Sequence, residues 1–177
     1  IKINNDFLHC STTISPLPLY HIYAYALCFG ILPAIRGHSV LIPNPRDTVS
    51  FVKTIKKVKF DIFCGLNSLF VSLLESADFK KLDFSNLKLT LSGGMALMPV
   101  VAEEWSKLTG CKISEGYGMT EASPVISMNP SGFQKLGSAG IPLAGTEVKV
   151  IDDTGAFKPV DQAGELCIKG PQMMDGY

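Results

Sequence analysis

Apolar positions in the first two thirds of the chain fall into two alternating rhythms. Short apolar runs at 9–15, 39–42, 60–65, 87–92 and 111–115 predict strands. Between them, stretches near 20–35, 48–58, 67–76 and 99–109 repeat their apolar residues at helical spacing. Alternation of this kind predicts an α/β fold, a parallel sheet of about five strands joined by right-handed crossover helices. The fourth helix is the best delimited, with Pro99 in its first turn, Val101, Trp105 and Leu108 on one face, and Gly110 as its terminator. Trp105 is therefore expected in the core.

Past Met128 the rhythm changes. Asn129-Pro130-Ser131-Gly132 opens a stretch of repeated Gly and Pro in which no helix fits. Residues 146–151 alternate as a strand, Asp152-Asp153-Thr154-Gly155 reads as a hairpin turn, and 164–169 form another strand. The pattern predicts two units: 1–128, a parallel βαβ sheet carrying the site loops, and 129–177, a small, incomplete antiparallel β-barrel-like unit. Internal repeats and low-complexity tracts are absent from the sequence.

Composition narrows the partners. The 177 residues are 46% hydrophobic and 18% charged, which excludes disorder. Lys plus Arg and Asp plus Glu balance at 16 each, so the broad positive footprint of a nucleic-acid binder is missing. The low charged fraction and a mean hydropathy of +0.24 suit a surface covered by further chain, and Ile1 is not an initiator Met, so the sequence is expected to be a piece of a longer protein. Cys10, Cys28, Cys64, Cys111 and Cys167 are odd in number and lie mostly in apolar runs, which predicts reduced thiols and a cytoplasmic location. His9, His21 and His38 have no Cys or Asp at ligand spacing, so a structural zinc site lacks support. The uncharged stretch 7–35 is long enough to raise a membrane span, but Pro16, Pro18, Gly30 and Pro33 interrupt it, and a buried strand plus helix is expected instead.

Ligands of open parallel sheets bind outside the carboxyl ends of the strands, so the loops there hold the candidate chemistry. Leu91-Ser92-Gly93-Gly94-Met95 follows the fourth strand and Ser114-Glu115-Gly116-Tyr117-Gly118-Met119-Thr120-Glu121 the fifth. Glycines admit a ligand to the backbone, Tyr117 offers a flat face to a base, Thr120 a hydroxyl to phosphate, and Glu121 a hard oxygen to Mg²⁺. The residues alone also fit a second reading: glycines that end strands, and Thr120-Glu121 capping a helix. A third loop, Pro16-Leu17-Pro18-Leu19-Tyr20-His21, leads into an apolar, aromatic helix containing Tyr23 and Tyr25. No Asp or Glu lies between Phe7 and Arg46, so a pocket lined by this segment suits an apolar or anionic substrate. His21 at the junction is either a group acting on an oxyanion or a structural residue. Lys53, Lys56, Lys57 and Lys59 form a local positive patch, read as a solvated helix face or a seat for a phosphate-bearing partner.

These segments resemble a known family. Ser114-Glu115-Gly116-Tyr117-Gly118-Met119-Thr120-Glu121 is similar to the core motif of the adenylate-forming superfamily, and 164–170 through Gly176-Tyr177 resembles a second motif in the same order. Leu17-Pro18-Leu19-Tyr20-His21 and Ser92-Gly93-Gly94-Met95 resemble two further blocks, so the likeness covers essentially the whole chain. Pro45-Arg46-Asp47, Leu82-Asp83-Phe84-Ser85, Leu108-Thr109-Gly110 and the block around Gly164 look most like bacterial long-chain fatty-acid CoA ligases.

The resemblance implies a fragment of that superfamily's large N-terminal domain. It implies two-step chemistry with ATP, Mg²⁺ and CoA: a fatty acid carboxylate attacks the α-phosphate to give acyl-adenylate and pyrophosphate, then the CoA thiol displaces AMP. Carried over, catalytic roles fall to His21, Thr120 and Glu121, with Glu121 also the metal ligand. Gly94, Glu115, Gly116, Tyr117, Gly118 and Thr120 would meet the nucleotide, and His21, Tyr25, Gly94 and Gly116 the acyl substrate. The family's phosphate loop, ribose aspartate and catalytic lysine have no counterpart here, so the fragment alone is expected to be inactive. Aryl-acid ligases and a non-catalytic nucleotide-binding module stand as alternatives. A homodimer and peripheral attachment to the inner face of a membrane stay open for the parent.

Overall fold

The structure is a computed structural model and describes residues 11–177. The expected first strand begins at His9, so its first two residues lie outside the described range; the rest forms β1 (Thr12–Ser15). The order continues α1 (Ile22–Tyr25), α2 (Leu32–Ala34), β2 (His38–Leu41), α3 (Thr48–Ile55), β3 (Ile62–Gly65), α4 (Asn67–Glu75), β4 (Leu89–Ser92), α5 (Pro99–Thr109), β5 (Ile113–Gly118), β6 (Val125–Met128), β7 (Ile141–Pro142), β8 (Glu147–Ile151) and β9 (Glu165–Lys169). Seven strands form one sheet in the order β2-β1-β3-β4-β5-β6-β7, and β8 and β9 form a separate antiparallel pair. The expected five-stranded parallel sheet is β1 to β5; α4 and α5 cross between neighbouring strands, whereas α3 leads from β2 at the edge past β1 to β3.

Burial on both faces explains why the central strands read as unbroken apolar runs. On β3, Phe63 enters the larger core, whereas Ile62 and Cys64 point to the opposite face. The larger core takes the inner faces of three helices: Phe51, Val52 and Ile55 from α3, Leu69, Phe70 and Leu73 from α4, and Val101, Ala102 and Trp105 from α5. Trp105 is the hub. Its ring lies 5.0 Å from Phe63, 4.8 Å from Phe70 and 5.5 Å from Phe79, and its indole N–H donates to the Thr90 hydroxyl at 3.1 Å. Asp47 caps α3 by accepting the Ser50 N–H, and Gly110 ends α5 at φ 73, where a side chain would be strained.

Two expectations need correction. The helix near 20–35 is not one regular α-helix, because Ala26–Ile31 winds as a π-helix between α1 and α2. The Leu32 N–H reaches back to the Leu27 carbonyl, and Pro33, with no N–H to satisfy, sits in the next turn without breaking it. The fifth strand does not stop at Glu115. It runs on through Gly116-Tyr117-Gly118, because the antiparallel β6 supplies the ladder partners Met128, Ser127 and Val125. After Met128 the seven-stranded sheet gains one more short strand. β7 pairs with β6, and the buried Asn129 fastens the intervening loop by donating to the Ser138 carbonyl at 2.6 Å and accepting the Lys135 N–H at 3.1 Å. The turn at Asp152 forms as expected, with Gly155 donating to the Asp152 carbonyl, but it leads to a single bridge from Ile151 to Phe157 before β9 begins. No described helix is long and apolar enough to cross a membrane.

Candidate active site

Parallel order puts the carboxyl ends of β1, β3 and β4 on one edge of the sheet, and the continuation of β5 passes along that edge. Ser92 at the end of β4 stands beside Glu115, which brings Gly93 against Gly116. A Cβ added to Gly93 would lie 3.6 Å from the Gly116 carbonyl oxygen and 3.4 Å from the Tyr23 ring. The two glycine-rich segments and the start of the aromatic helix thus meet at one place. Gly94, at φ 83, has no heavy atom within 4 Å of where a Cβ would be, so its backbone is open to solvent. Tyr117 is exposed, and Thr120 and Glu121 form a single 3₁₀ turn, Thr120–Ala122, rather than the start of a longer helix.

Gly118 and Gly116 sit in the same strand for different reasons. A Cβ at Gly118 would lie 2.0 Å from the Pro124 carbonyl oxygen, because the chain reverses there and β6 returns alongside. At Gly116 the nearest atom would be the Ser127 carbonyl oxygen at 3.5 Å, an ordinary contact. Gly118 makes the turn possible, and Gly116 leaves a smooth backbone beside Gly93. Glu115 is held by the fold, its carboxylate accepting the Gly137 N–H at 3.2 Å and its carbonyl accepting the Asn129 N–H at 2.8 Å.

Glu121 faces outward. Its Oε1 accepts the Tyr177 hydroxyl at 2.8 Å, and its carbonyl accepts the Met174 N–H at 2.9 Å, so the last residues return to the turn after β5. A hydrogen bond to its own backbone N–H, followed by that from Tyr177, lowers the Glu121 carboxyl from its ordinary value, so it is an anion at neutral pH. No described group of three or more His, Cys, Asp or Glu side chains can hold a metal ion. A single hard carboxylate suits Mg²⁺, which is commonly held by one or two carboxylates with phosphate oxygens and waters in its remaining positions.

The acyl-side residues are placed as follows. His21 caps α1, its Nδ1 accepting the Tyr23 N–H at 3.2 Å, and the ring is exposed at the same edge of the sheet. Tyr25 is exposed, and its ring lies against that of Phe29, with centroids 5.2 Å apart. Tyr23 is the aromatic residue that reaches the glycines, and sequence reasoning missed it. Its hydroxyl is buried beside the Cys64 thiol without a hydrogen bond of good geometry, and burial, with that thiol, pushes its pKa well above the ordinary value. Its signal was spacing: two residues after the cap, it points inward while Tyr20 and Tyr25 point out. Tyr177 was read only as part of a motif, because a contact across 56 residues leaves no local pattern.

Comparison with known proteins identifies the relatives of this chain. The chain is 44% identical over 173 residues to a long-chain-fatty-acid–CoA ligase of Haemophilus influenzae, covering 97% of this chain and 31% of that protein. It is 46% identical over 165 residues to the enzyme of the same name from Escherichia coli, covering 93% of this chain and 29% of that protein. The chain therefore spans about a third of the length of the curated relatives it matches. A crystal structure of a long-chain-fatty-acid–CoA ligase from Archaeoglobus fulgidus superposes with a TM-score of 0.83 at 26% identity, covering 96% of this chain and 36% of that one. The model of the AMP-binding enzyme family matches residues 2–177, which takes in every strand of the sheet and both glycine-rich segments at its carboxyl edge; the chain belongs to that family.

Proposed function

We propose that this chain supplies part of the catalytic pocket of a ligase that joins a long-chain fatty acid to CoA. In the first step the fatty acid carboxylate attacks the α-phosphorus of ATP, forming an acyl-adenylate and releasing pyrophosphate. In the second the CoA thiol attacks the acyl carbon, and AMP leaves. The observation that carries the reading is the meeting of Gly93, just after β4, with Gly116 inside the neighbouring β5, and Tyr117, Thr120 and Glu121 continuing from there. Relatives that are 44–46% identical to this chain over the 165–173 residues they align with it bear the long-chain name.

Within this proposal, Gly94 and Gly116 admit the adenylate to the backbone, Tyr117 gives the base a flat surface, and Thr120 donates to phosphate. Glu115 and Gly118 hold the strand in shape beneath the nucleotide. Glu121 is the Mg²⁺ ligand, and the ion supplies neutralisation of charge on the phosphates. His21 stands at the carboxylate end of the acyl pocket, and the acid-free helix containing Tyr25 lines its apolar part, with no carboxylate to repel the substrate.

The test is a chimera in which this chain replaces the matching third of the Haemophilus influenzae ligase, assayed by ATP–pyrophosphate exchange with hexanoate, palmitate, benzoate and glycine. Exchange greatest with palmitate is expected, and Glu121→Gln in the chimera lowers it by on the order of 10²-fold. The isolated chain, mixed with oleate and Mg-ATP, is expected to yield no acyl-AMP. A benzoate optimum would overturn the substrate, and full exchange in folded Glu121→Gln would overturn the metal assignment.

A further inference from the structure

The lysines between 53 and 59 have no part in the proposed chemistry, and the fold gives them a second context. A cavity of about 440 Å³ opens at the amino end of β3, the opposite end of the sheet from Gly65, Ser92 and the candidate site. Lys56, Lys57 and Lys59, from the segment between α3 and β3, line it together with Lys81, from the short 3₁₀ turn before β4. The chain has 16 Lys plus Arg against 16 Asp plus Glu, and four of those basic residues line this one concavity. Asp83 is the only acidic lining residue. Its carboxylate accepts the Ser85 N–H at 2.9 Å, and hydrogen bonding with Ser85, helped by the nearby Lys59 ammonium, holds its pKa below the ordinary value. The lining thus carries three more positive than negative charges.

Ordinary structural roles account for part of the cluster. Lys56 and Lys57 follow the carboxyl end of α3, where cations offset the helix dipole. Lys81 makes an exposed pair with Asp78 at 3.2 Å, a contact worth little in water and readily exchanged. Neither role explains why Lys59 and Lys81, from different segments, converge on the same hollow. Like charges gathered in a concave, partly apolar wall, here Ile55, Phe60 and Leu82, repel one another unless an anion is present, and they concentrate one when it is. Neutral donors are at hand in Ser85 and Asn86.

We propose that this cavity binds a phosphate-bearing anion of at least two charges, at a site separate from the nucleotide site. Lysine suits such a ligand as a compact, rotatable point charge with three donors. The chemistry is shared by free di- and polyphosphates and by clustered anionic lipid headgroups.

The test uses the whole 177-residue chain, isotopically labelled, and sodium pyrophosphate as the probe. Amide shifts are expected at Lys57, Lys59, Leu82 and Asp83, weakened at least about fivefold when salt rises from about 50 to about 300 mM. The triple variant Lys57→Gln/Lys59→Gln/Lys81→Gln should lose about tenfold or more in affinity while its far-ultraviolet spectrum is unchanged. Lys107→Gln, exposed on α5 and outside the cavity, should bind as the parent does. A parallel sedimentation assay compares vesicles of phosphatidylglycerol mixed with phosphatidylcholine against phosphatidylcholine alone. Retention on the anionic vesicles that the triple variant lacks, without pyrophosphate binding, would support the site with a headgroup as its occupant. Absence of both kinds of binding, or binding that the folded triple variant keeps in full, would overturn the proposal. Neither assay depends on acyl activation, so its outcome is independent of the proposed ligase activity.

Discussion

Replacing Gly118 by Ala tests whether the turn after β5 is built as described. The new methyl would lie 2.0 Å from the Pro124 carbonyl oxygen and 2.9 Å from its carbonyl carbon, both backbone atoms that cannot rotate away. Relief requires β5 and β6 to part by more than 1 Å, against an ordinary contact range beginning at 3.4 Å. That movement breaks the bond from the Met119 N–H to the Pro124 carbonyl, 2.8 Å long in the structure. Overpacking costs about 1–3 kcal/mol and the lost hydrogen bond about 1 more, so destabilisation of about 2–4 kcal/mol is expected. With a urea dependence near 2 kcal/mol per molar, the unfolding midpoint falls by about 1–2 M. Gly116→Ala is the paired control. Its methyl meets nothing closer than 3.5 Å, so its midpoint should move by less than about 0.5 M. Fluorescence of Trp105, the sole tryptophan, reports global unfolding, and amide shifts at Met119 and Val125 report the turn. Equal midpoints for Gly118→Ala and the parent, with those amides unmoved, would refute the account of the turn.

Two further outcomes follow from the buried polar atoms. Thr90→Val leaves the Trp105 indole N–H buried without an acceptor and should cost about 1–3 kcal/mol. Combined with Trp105→Phe it should cost about 1 kcal/mol less than the two singles together, read by circular dichroism in urea; strict additivity would mean the bond contributes nothing. Burial pushes the Cys64 thiol up to about 12 from an ordinary 9.0. The folded state thus keeps a proton that the unfolded state releases, and stability is fully present below pH 9 and lost as pH rises towards 12. Between these limits the parent should lose about 1.4 kcal/mol per pH unit more than Cys64→Ala, and parallel curves would show that the thiol is not buried as described.

Much of the architecture was legible because its signals are local. Each helix of the larger core repeats apolar residues at three- and four-residue intervals, and α5 is bounded by Pro99 and Gly110, so its limits were readable to the residue. The extension of β5 was not, since Gly116-Tyr117-Gly118 has the composition of a loop and becomes strand only when β6 returns beside it. β7 is two residues long, and its place in the sheet depends on Asn129, whose buried amide replaces the backbone partners that the loop lacks. In the candidate site, the glycines and Glu121 announce themselves by type and order. Tyr23 does not, because what distinguishes it from Tyr25 is the direction it faces across a helix that loosens into a π-helix one residue after Tyr25.

The return of the last residues to Glu121 also has a bearing on how the protein is made. The bonds from Tyr177 and Met174 to Glu121 close a loop of more than fifty residues, and Gln172 ties the same segment to Val125 and Thr146. Strands β1 to β5 find their partners within shorter stretches and can assemble early as the chain emerges from the ribosome, whereas the carboxylate must wait for its phenol until residue 177 has emerged too. Closure of so long a loop is entropically costly, so this clasp forms late in folding and opens early. A nascent chain would therefore possess its glycine-lined edge well before it possesses a fixed acidic group there.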